Sequence, residues 1–293
     1  MVSESASELA EETTAKAAQP TPVFLHNGAP LQSPADVAAF LGVRHPHLMY
    51  VLYKAPESER YRTFEIPKRT GGMRLISAPR GLVRECQEKL APLLAQVYEA
   101  HPSAHGFLSQ RSVASNAHEH LNQRLVLNID LLDFFPSVNF GRVRGLFMAR
   151  PFFMGPGAAA VLAQIVIHRN GLPQGAPTSP VLSNFIAATL DRRLTRLAKE
   201  NGLSYSRYAD DITFSTNKPG FPPAVALTEE SGRVLPGEAL ERAIAASGFS
   251  INPRKVRLQN RHQRQTVTGL VVNARVNVQR KRVRRIRAMI HAW

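Results

Sequence analysis

Leu203-Ser204-Tyr205-Ser206-Arg207-Tyr208-Ala209-Asp210-Asp211-Ile212-Thr213-Phe214-Ser215 is the stretch on which the fold turns. It reads as two short strand-like runs meeting at Ala209-Asp210-Asp211, so two carboxylates stand side by side at a turn. Like charges so placed repel unless a cation neutralises them. A lone Asp-Asp pair is equally what a solvated turn contains, and the rest of the chain has to decide. Upstream, Leu125, Leu127 and Ile129 alternate with Val126, Asn128 and Asp130 at the strand period, so Asp130 ends a strand on the face opposite the leucines. Between the two stretches one helix starts at about Val138. A longer one opens at Ser179-Pro180, keeps Leu182, Phe185, Ile186, Leu190, Leu194 and Leu197 on one stripe, and closes at Asn201-Gly202. With helices intervening, both strand tips can converge on one sheet edge. Carboxylates gathered there suit hard Mg²⁺, and two such ions about 4 Å apart can activate a hydroxyl and stabilise a leaving group.

The composition narrows the partners. Among 293 residues, 37 Lys and Arg against 22 Asp and Glu give a formal charge of +15, which favours a polyanion, either nucleic acid or an anionic membrane surface. No apolar run approaches the roughly 18 residues that span a bilayer, the longest being about Ala158 to Ile167. The N-terminus is acidic and Ala-rich rather than basic then apolar, so a soluble cytoplasmic protein without membrane association is expected. At 44% hydrophobic the chain can bury a sizeable core, as one large domain or two joined subdomains. A single cysteine excludes an internal disulfide and a thiolate zinc cluster. Cys86 falls in line with Leu82, Leu90, Leu93 and Val97 at helical spacing and reads as a buried structural thiol.

Residues 1–22 lack periodicity and predict a disordered tail. Ser33 and Pro34 supply an N-cap and first-turn proline for a helix stopping at Gly42, and a second helix runs to about Tyr53. Phe64 to Pro79 reads as a hairpin turning at Gly71-Gly72 with a basic tip of Lys68, Arg69 and Arg74. A long helix covers about 82–99, a surface loop 216–237, and a further helix ends near Gly248. Beyond Glu241 there is no acidic residue, while basic ones crowd Arg254 to Arg287.

These residues carry a family resemblance. Tyr208-Ala209-Asp210-Asp211 resembles the Tyr-x-Asp-Asp box of reverse transcriptases, and Asp130-Leu131-Leu132-Asp133-Phe134-Phe135-Pro136-Ser137 their first aspartate motif. Between them, Leu172-Pro173-Gln174-Gly175-Ala176-Pro177-Thr178-Ser179-Pro180 resembles the family's nucleotide-pocket motif. The resemblance spans about Phe64 to Val272. It implies an α+β, right-hand polymerase fold with fingers and palm, an antiparallel palm sheet packed on helices, and a thumb truncated or only begun. The expected boundaries are N-terminal helices and fingers over 23–124, palm over 125–275, and the start of a basic thumb helix over 276–293. Either another chain supplies the thumb, or it is reduced, or the sequence is a fragment.

The resemblance makes Asp130, Asp210 and Asp211 the carboxylates of a two-metal Mg²⁺ site, while Asp133 is read as a cap for the following helix. Phe135 takes the place of an aromatic ring under the sugar that selects deoxynucleotides, or is a core phenylalanine. Gln174 touches the incoming nucleotide or its template partner, and Gly175 lets the backbone come close. Lys68 and Arg74 are candidates for triphosphate contact. Lys255 stands where the family has a lysine that serves as general acid or as a plain phosphate contact.

Two further stretches resemble retron enzymes: Asn116-Ala117-His118-Glu119-His120, and Val267-Thr268-Gly269. Asn116, His120, Val267, Thr268, Gly269, Arg280, Lys281 and Arg284 are therefore expected to contact RNA, and His118 with His120 is not read as a metal site. Retron resemblance implies a cognate structured RNA as template and primer, priming from a guanosine 2′-OH, deoxynucleoside triphosphate substrates, an RNA–DNA hybrid product, branched DNA, and anti-phage defence with a separate effector protein. The alternatives are a phage-defence or group II-like reverse transcriptase without retron RNA, and a non-catalytic RNA-binding scaffold.

Overall fold

A computed structural model describes residues 24–26, 28–68, 71–291 and 293. The tail expected over 1–22 and Arg69 of the hairpin tip lie outside the described residues. A two-residue pairing of β1 (Leu25–His26) with β2 (Ala29–Pro30) leads into α1 (Pro34–Leu41). Ser33 caps α1 by accepting from the Asp36 N–H, and the Asp36 carboxylate accepts from the Ser33 N–H in return; Gly42 ends it in the left-handed conformation. Next come α2 (His45–Tyr53), the single turn α3 (Glu57–Arg60), and the hairpin β3 (Tyr61–Pro67) with β4 (Met73–Pro79). The chain continues through α4 (Gly81–Val97), α5 (Val113–His118), β5 (Leu125–Asp130), α6 (Phe140–Met148), α7 (Pro156–Val166) and α8 (Ser179–Asn201). Then follow β6 (Ser204–Tyr208), β7 (Asp211–Thr216), the hairpin β8 (Ala226–Thr228) and β9 (Val234–Pro236), and α9 (Glu238–Ala245). The last elements are β10 (Arg257–Asn260), the small sheet β11 (Thr266–Val267), β12 (Leu270–Val271) and β13 (Asn277–Val278), and α10 (Arg280–His291).

The central sheet has the order β10-β5-β7-β6, antiparallel throughout. Its register sets Asp211 opposite both Asp130 and Tyr208, which brings the two aspartate motifs to one end of the sheet. β5 is covered on both faces, unlike a half-exposed alternating strand. Leu127 and Ile129 enter the main core with Phe147, Leu162, Leu190 and Phe214, whereas Val126 enters a second small core with Ala117, Val267 and Val272. Cys86 lies in the main core as expected, and burial pushes its thiol up to about 11.

Three local readings change. The helix after the first aspartate motif starts at Phe140 rather than about Val138, because Asn139 caps it by accepting from the Arg142 N–H at 3.0 Å. Asp133 is not that cap: it sits at φ +45° in the preceding turn, where its carbonyl accepts from the Ser137 N–H. The segment 216–237, read as loop, holds β8 and β9. No described helix is long and apolar enough to cross a membrane.

Candidate active site

Asp130 is held by its neighbours on the sheet edge. Its carbonyl accepts from the Asn252 N–H at 2.8 Å, and its carboxylate accepts from Asn252 Nδ2 at 3.2 Å and Lys255 Nζ at 2.6 Å. Asn252 also caps the 3-10 turn Pro253–Lys255, so one residue both steadies Asp130 and aims Lys255 at it. Across the sheet, the Leu131 N–H donates to the Asp210 carbonyl at 3.0 Å. The three carboxylates are thus brought together. Burial, then repulsion from Asp130, raises the pKa of Asp210; desolvation, then repulsion from Asp210 and Asp130, lifts Asp211 to about 6, although the residue is exposed. The cluster is short of positive charge, and the Lys255 ammonium supplies part of it.

The turn itself is fixed from beneath. Ala209 sits at φ +57°, and Arg207 donates from Nη1 to the Ala209 carbonyl at 3.0 Å. Arg207 is fully buried and grips the equally buried Asp191 of α8 with two hydrogen bonds, Nε to Oδ1 at 2.8 Å and Nη2 to Oδ2 at 2.7 Å. Nη2 also reaches Asn184 Oδ1 at 3.2 Å, and the Tyr205 hydroxyl donates to Asp191 at 2.7 Å. Burial works against the charge on Arg207, but Asp191 overrides it and holds the guanidinium pKa above its usual value. None of Arg207, Asp191, Asn184 or Asn252 was singled out from sequence. The available signal was Asp191 itself, a carboxylate inside the Leu190–Leu194–Leu197 stripe that needs a buried partner.

A cleft of about 770 Å³ opens beside the carboxylates, lined by Lys68, Arg74, Phe135, Gln174, Asp130, Asp210 and Lys255 among others. The hairpin β3–β4 overhangs it because the Ser77 N–H donates to the Gln174 carbonyl at 2.8 Å. Gly175 does not line the cleft. At φ +111° its missing Cβ would lie 2.8 Å from Ile76 Cγ2, so its close approach is to β4.

Three residues expected at RNA are instead enclosed. Asn116 and His120 are fully buried: His120 bonds Ser215 Oγ through Nδ1 and Ser206 Oγ through Nε2, both at 2.7 Å, and Ser206 donates to Asn116 Oδ1 at 2.7 Å. Their side chains tie α5 to the back of β6 and β7. Val267 is buried beside Ala117. Thr268 and Gly269 form the β11–β12 turn with φ +46° and +84°, as a two-residue hairpin of this twist requires, and the Thr268 hydroxyl donates to the Val113 carbonyl. The two retron-like stretches therefore pack on each other. His118 is exposed, so it shares no site with His120. Arg280, Lys281 and Arg284 lie on α10, which buries none of its side chains.

Burial, then His105, lowers His120 to about 3. Its unfolded value is near 6.5, so the unfolded chain takes up a proton that the folded one refuses. Stability from this neutral ring is complete above pH 6.5 and is lost as pH falls toward 3, by about 1.4 kcal/mol per pH unit. Urea unfolding at pH 7.5 and 5 should show the parent losing about 2 kcal/mol more than His120→Gln between the two conditions.

Residues 66–273 match the family model described as reverse transcriptase (RNA-dependent DNA polymerase). The chain belongs to the reverse transcriptase family. Retron members are among its relatives: it is 40% identical over 280 residues to the retron Mx65 reverse transcriptase of Myxococcus xanthus, covering 87% of this chain and 62% of that protein. It is 34% identical to the retron Mx162 reverse transcriptase of the same organism, covering 89% and 59%, and 33% identical to the retron Ec86 reverse transcriptase of Escherichia coli, covering 79% and 69%. The chain thus spans about six-tenths of the length of the two Myxococcus relatives. Among solved structures, apo telomerase from Candida tropicalis aligns with a TM-score of 0.47 and 14% identity, covering 77% of this chain and 56% of that one. The α+β polymerase fold expected for this reverse transcriptase is the one it has, with an antiparallel sheet packed on helices.

Proposed function

We propose that this reverse transcriptase copies an RNA template into DNA, and that it does so on a cognate retron RNA. The observation that carries the reading is the convergence of Asp130, Asp210 and Asp211 at the edge of a cleft overhung by the cationic Lys68 and Arg74. In this reading 23–124 serve as N-terminal helices and fingers, 125–275 as palm, and 276–293 as the start of the thumb helix.

The donor set fits Mg²⁺. Among the described residues no group of three or more His, Cys, Asp or Glu side chains could hold a metal by itself, so an Mg²⁺ here would rest on one or two carboxylates and complete its shell with waters and substrate phosphates. Asp130 and Asp210 would hold it, with Asp211 alongside. When bound, the metal supplies charge stabilisation for an attacking hydroxyl and a leaving pyrophosphate. The protein's own groups do the rest. Lys68 and Arg74 would bind the triphosphate from the hairpin, Gln174 would orient the base pair, and Lys255, released from Asp130, would meet the leaving phosphates. The basic face of α10 would follow the RNA–DNA hybrid, since Lys and Arg contacts to phosphate give affinity without reading sequence.

Phe135 is half-buried, packed on Phe134 at 5.4 Å between ring centroids, and lines the cleft. As a gate beneath the sugar it would exclude a ribose 2′-OH. Phe135→Val should lower the preference for deoxynucleotides over ribonucleotides by about 10- to 200-fold in competing single-nucleotide incorporation; an unchanged ratio would return Phe135 to the core.

The retron part of the proposal includes priming from an RNA 2′-OH, a branched product and service in anti-phage defence beside a separate effector. Its support is the identity to retron relatives and the mutual packing of the two retron-like stretches. The test is to express the chain with the DNA flanking its own gene and isolate small DNA joined to RNA at its 5′ end. Branched DNA that disappears with Asp210→Asn is expected. Unbranched products alone would replace the retron reading with an exogenously primed polymerase.

A further inference from the structure

We propose that Phe107 is a stacking platform for the terminal base of the primer, an assignment that rests on the polymerase reading above. Ala104, His105 and Gly106 are buried, yet the next residue leaves a phenylalanine ring 43% exposed. Its backbone stands at φ +62°, a conformation in which a bulky residue is an outlier. Such outliers persist where the surroundings over-determine them, and they cluster at binding sites.

The surroundings here do so. Ala104 pairs with Arg207 of β6 in a single parallel bridge, the Arg207 N–H donating to the Ser103 carbonyl and the His105 N–H to the Arg207 carbonyl, each at 2.8 Å. Gly106 is pressed against the catalytic turn so closely that a Cβ would lie 2.5 Å from Ala209 N. Its carbonyl accepts from Asn184 Nδ2 at 2.9 Å. Arg111 closes the loop by donating to the carbonyls of His101, Pro102 and Ala104. Every one of these bonds fixes where Phe107 projects, and none of them buries its ring.

The position selects the occupant. The Phe107 ring centroid is 6.5 Å from that of Tyr208 and 6.0 Å from that of Phe135. Phe135 lines the cleft and Phe107 does not, so Phe107 stands beyond the gate, outside the space for the incoming nucleotide. Tyr208 is joined through Ala209 to Asp210, beside which the attacking hydroxyl would stand in the polymerase reading. The base nearest this ring is therefore the one on the nucleotide that carries that hydroxyl. A flat apolar face suits a base of any identity and offers nothing to a phosphate.

The experiment uses the full chain with an RNA–DNA hybrid carrying 2-aminopurine at the primer 3′ base or at its template partner. Phe107→Asn keeps a residue tolerant of positive φ, Phe107→Leu keeps apolar bulk without a ring, and Phe107→Trp keeps the ring. Both Asn and Leu variants should raise the KM for primer–template about five-fold or more while the KM for the nucleotide holds, and should lose the quenching of the primer-terminal probe. Trp should retain both. Full function in the Leu variant would assign the ring to covering by protein instead, and quenching at the template base, or no change in the Asn variant, would also overturn the proposal. A parent chain that neither binds the hybrid nor incorporates nucleotide, on this substrate or on the RNA encoded beside its own gene, would remove the polymerase reading and this one with it.

Discussion

Asp210→Asn should abolish Mg²⁺-dependent deoxynucleotide incorporation and, in metal-free buffer at pH 7.5, raise the melting temperature. Losing one carboxylate from a metal site forfeits several kcal/mol of charge stabilisation, and each 1.4 kcal/mol is a factor of ten, so the rate should fall on the order of a thousand-fold. The gain in stability follows from the same crowding. Asp210 and Asp211 both titrate above the ordinary carboxylate value in the folded chain, Asp211 near 6. Ionising them therefore costs the folded state, a penalty absent below the unfolded value near 3.8 and, for Asp211, fully present above pH 6. Asparagine keeps the size and removes one of the charges. Each kcal/mol so recovered is worth about 2–4 °C in a protein of this size. Adding Mg²⁺ should raise the melting temperature of the parent and move the variant less. Equal incorporation by variant and parent would sink every catalytic assignment made for this cluster.

What the sequence discloses and what it hides divide along one line. Features set by local chemistry are legible: Ser33 and Gly42 bracket α1, Gly202 ends α8 in the left-handed conformation, and the turn at Ala209 lies where two strand-like runs meet. The fold follows because three ordered motifs fix which tips must converge. Features set by what a residue faces across the fold are not legible. Asn116 and His120 have the polarity of RNA ligands, and only the placement of α5 against Ser206 and Ser215 makes them a buried tie. Gly175 looks like a point of approach for a nucleotide, and its neighbour is Ile76 of a strand about a hundred positions away in sequence. The alternation in β5 suggests one covered face, whereas the second core formed by α5 and β11–β12 covers the other. Asp191 announces a missing partner without naming it, and Arg207 reads as one more positive charge in a chain of formal charge +15.

That pair gives the second large effect. Arg207→Met leaves Asp191 buried with its cation gone, and breaking a fully buried pair in this way costs about 3–5 kcal/mol, a large part of the stability of an ordinary domain. The double variant Arg207→Met, Asp191→Leu replaces both charges by apolar groups, which such sites tolerate far better, so most of the lost stability should return in urea unfolding. Activity should not return with it. Arg207 also donates to the carbonyl of Ala209, the left-handed residue between Tyr208 and Asp210, and no side chain in the double variant replaces that donor. Displacement of catalytic groups by about 1 Å is enough to cost a hundred-fold, and because Lys68, Arg74 and Gln174 are untouched, the loss should fall on kcat while the KM for nucleotide holds. Lysine at 207 can reach one oxygen of Asp191 but cannot reproduce the fork that also holds Ala209, so Arg207→Lys should sit between parent and double variant in rate. A double variant that recovers both stability and kcat would show that the clamp serves only the fold.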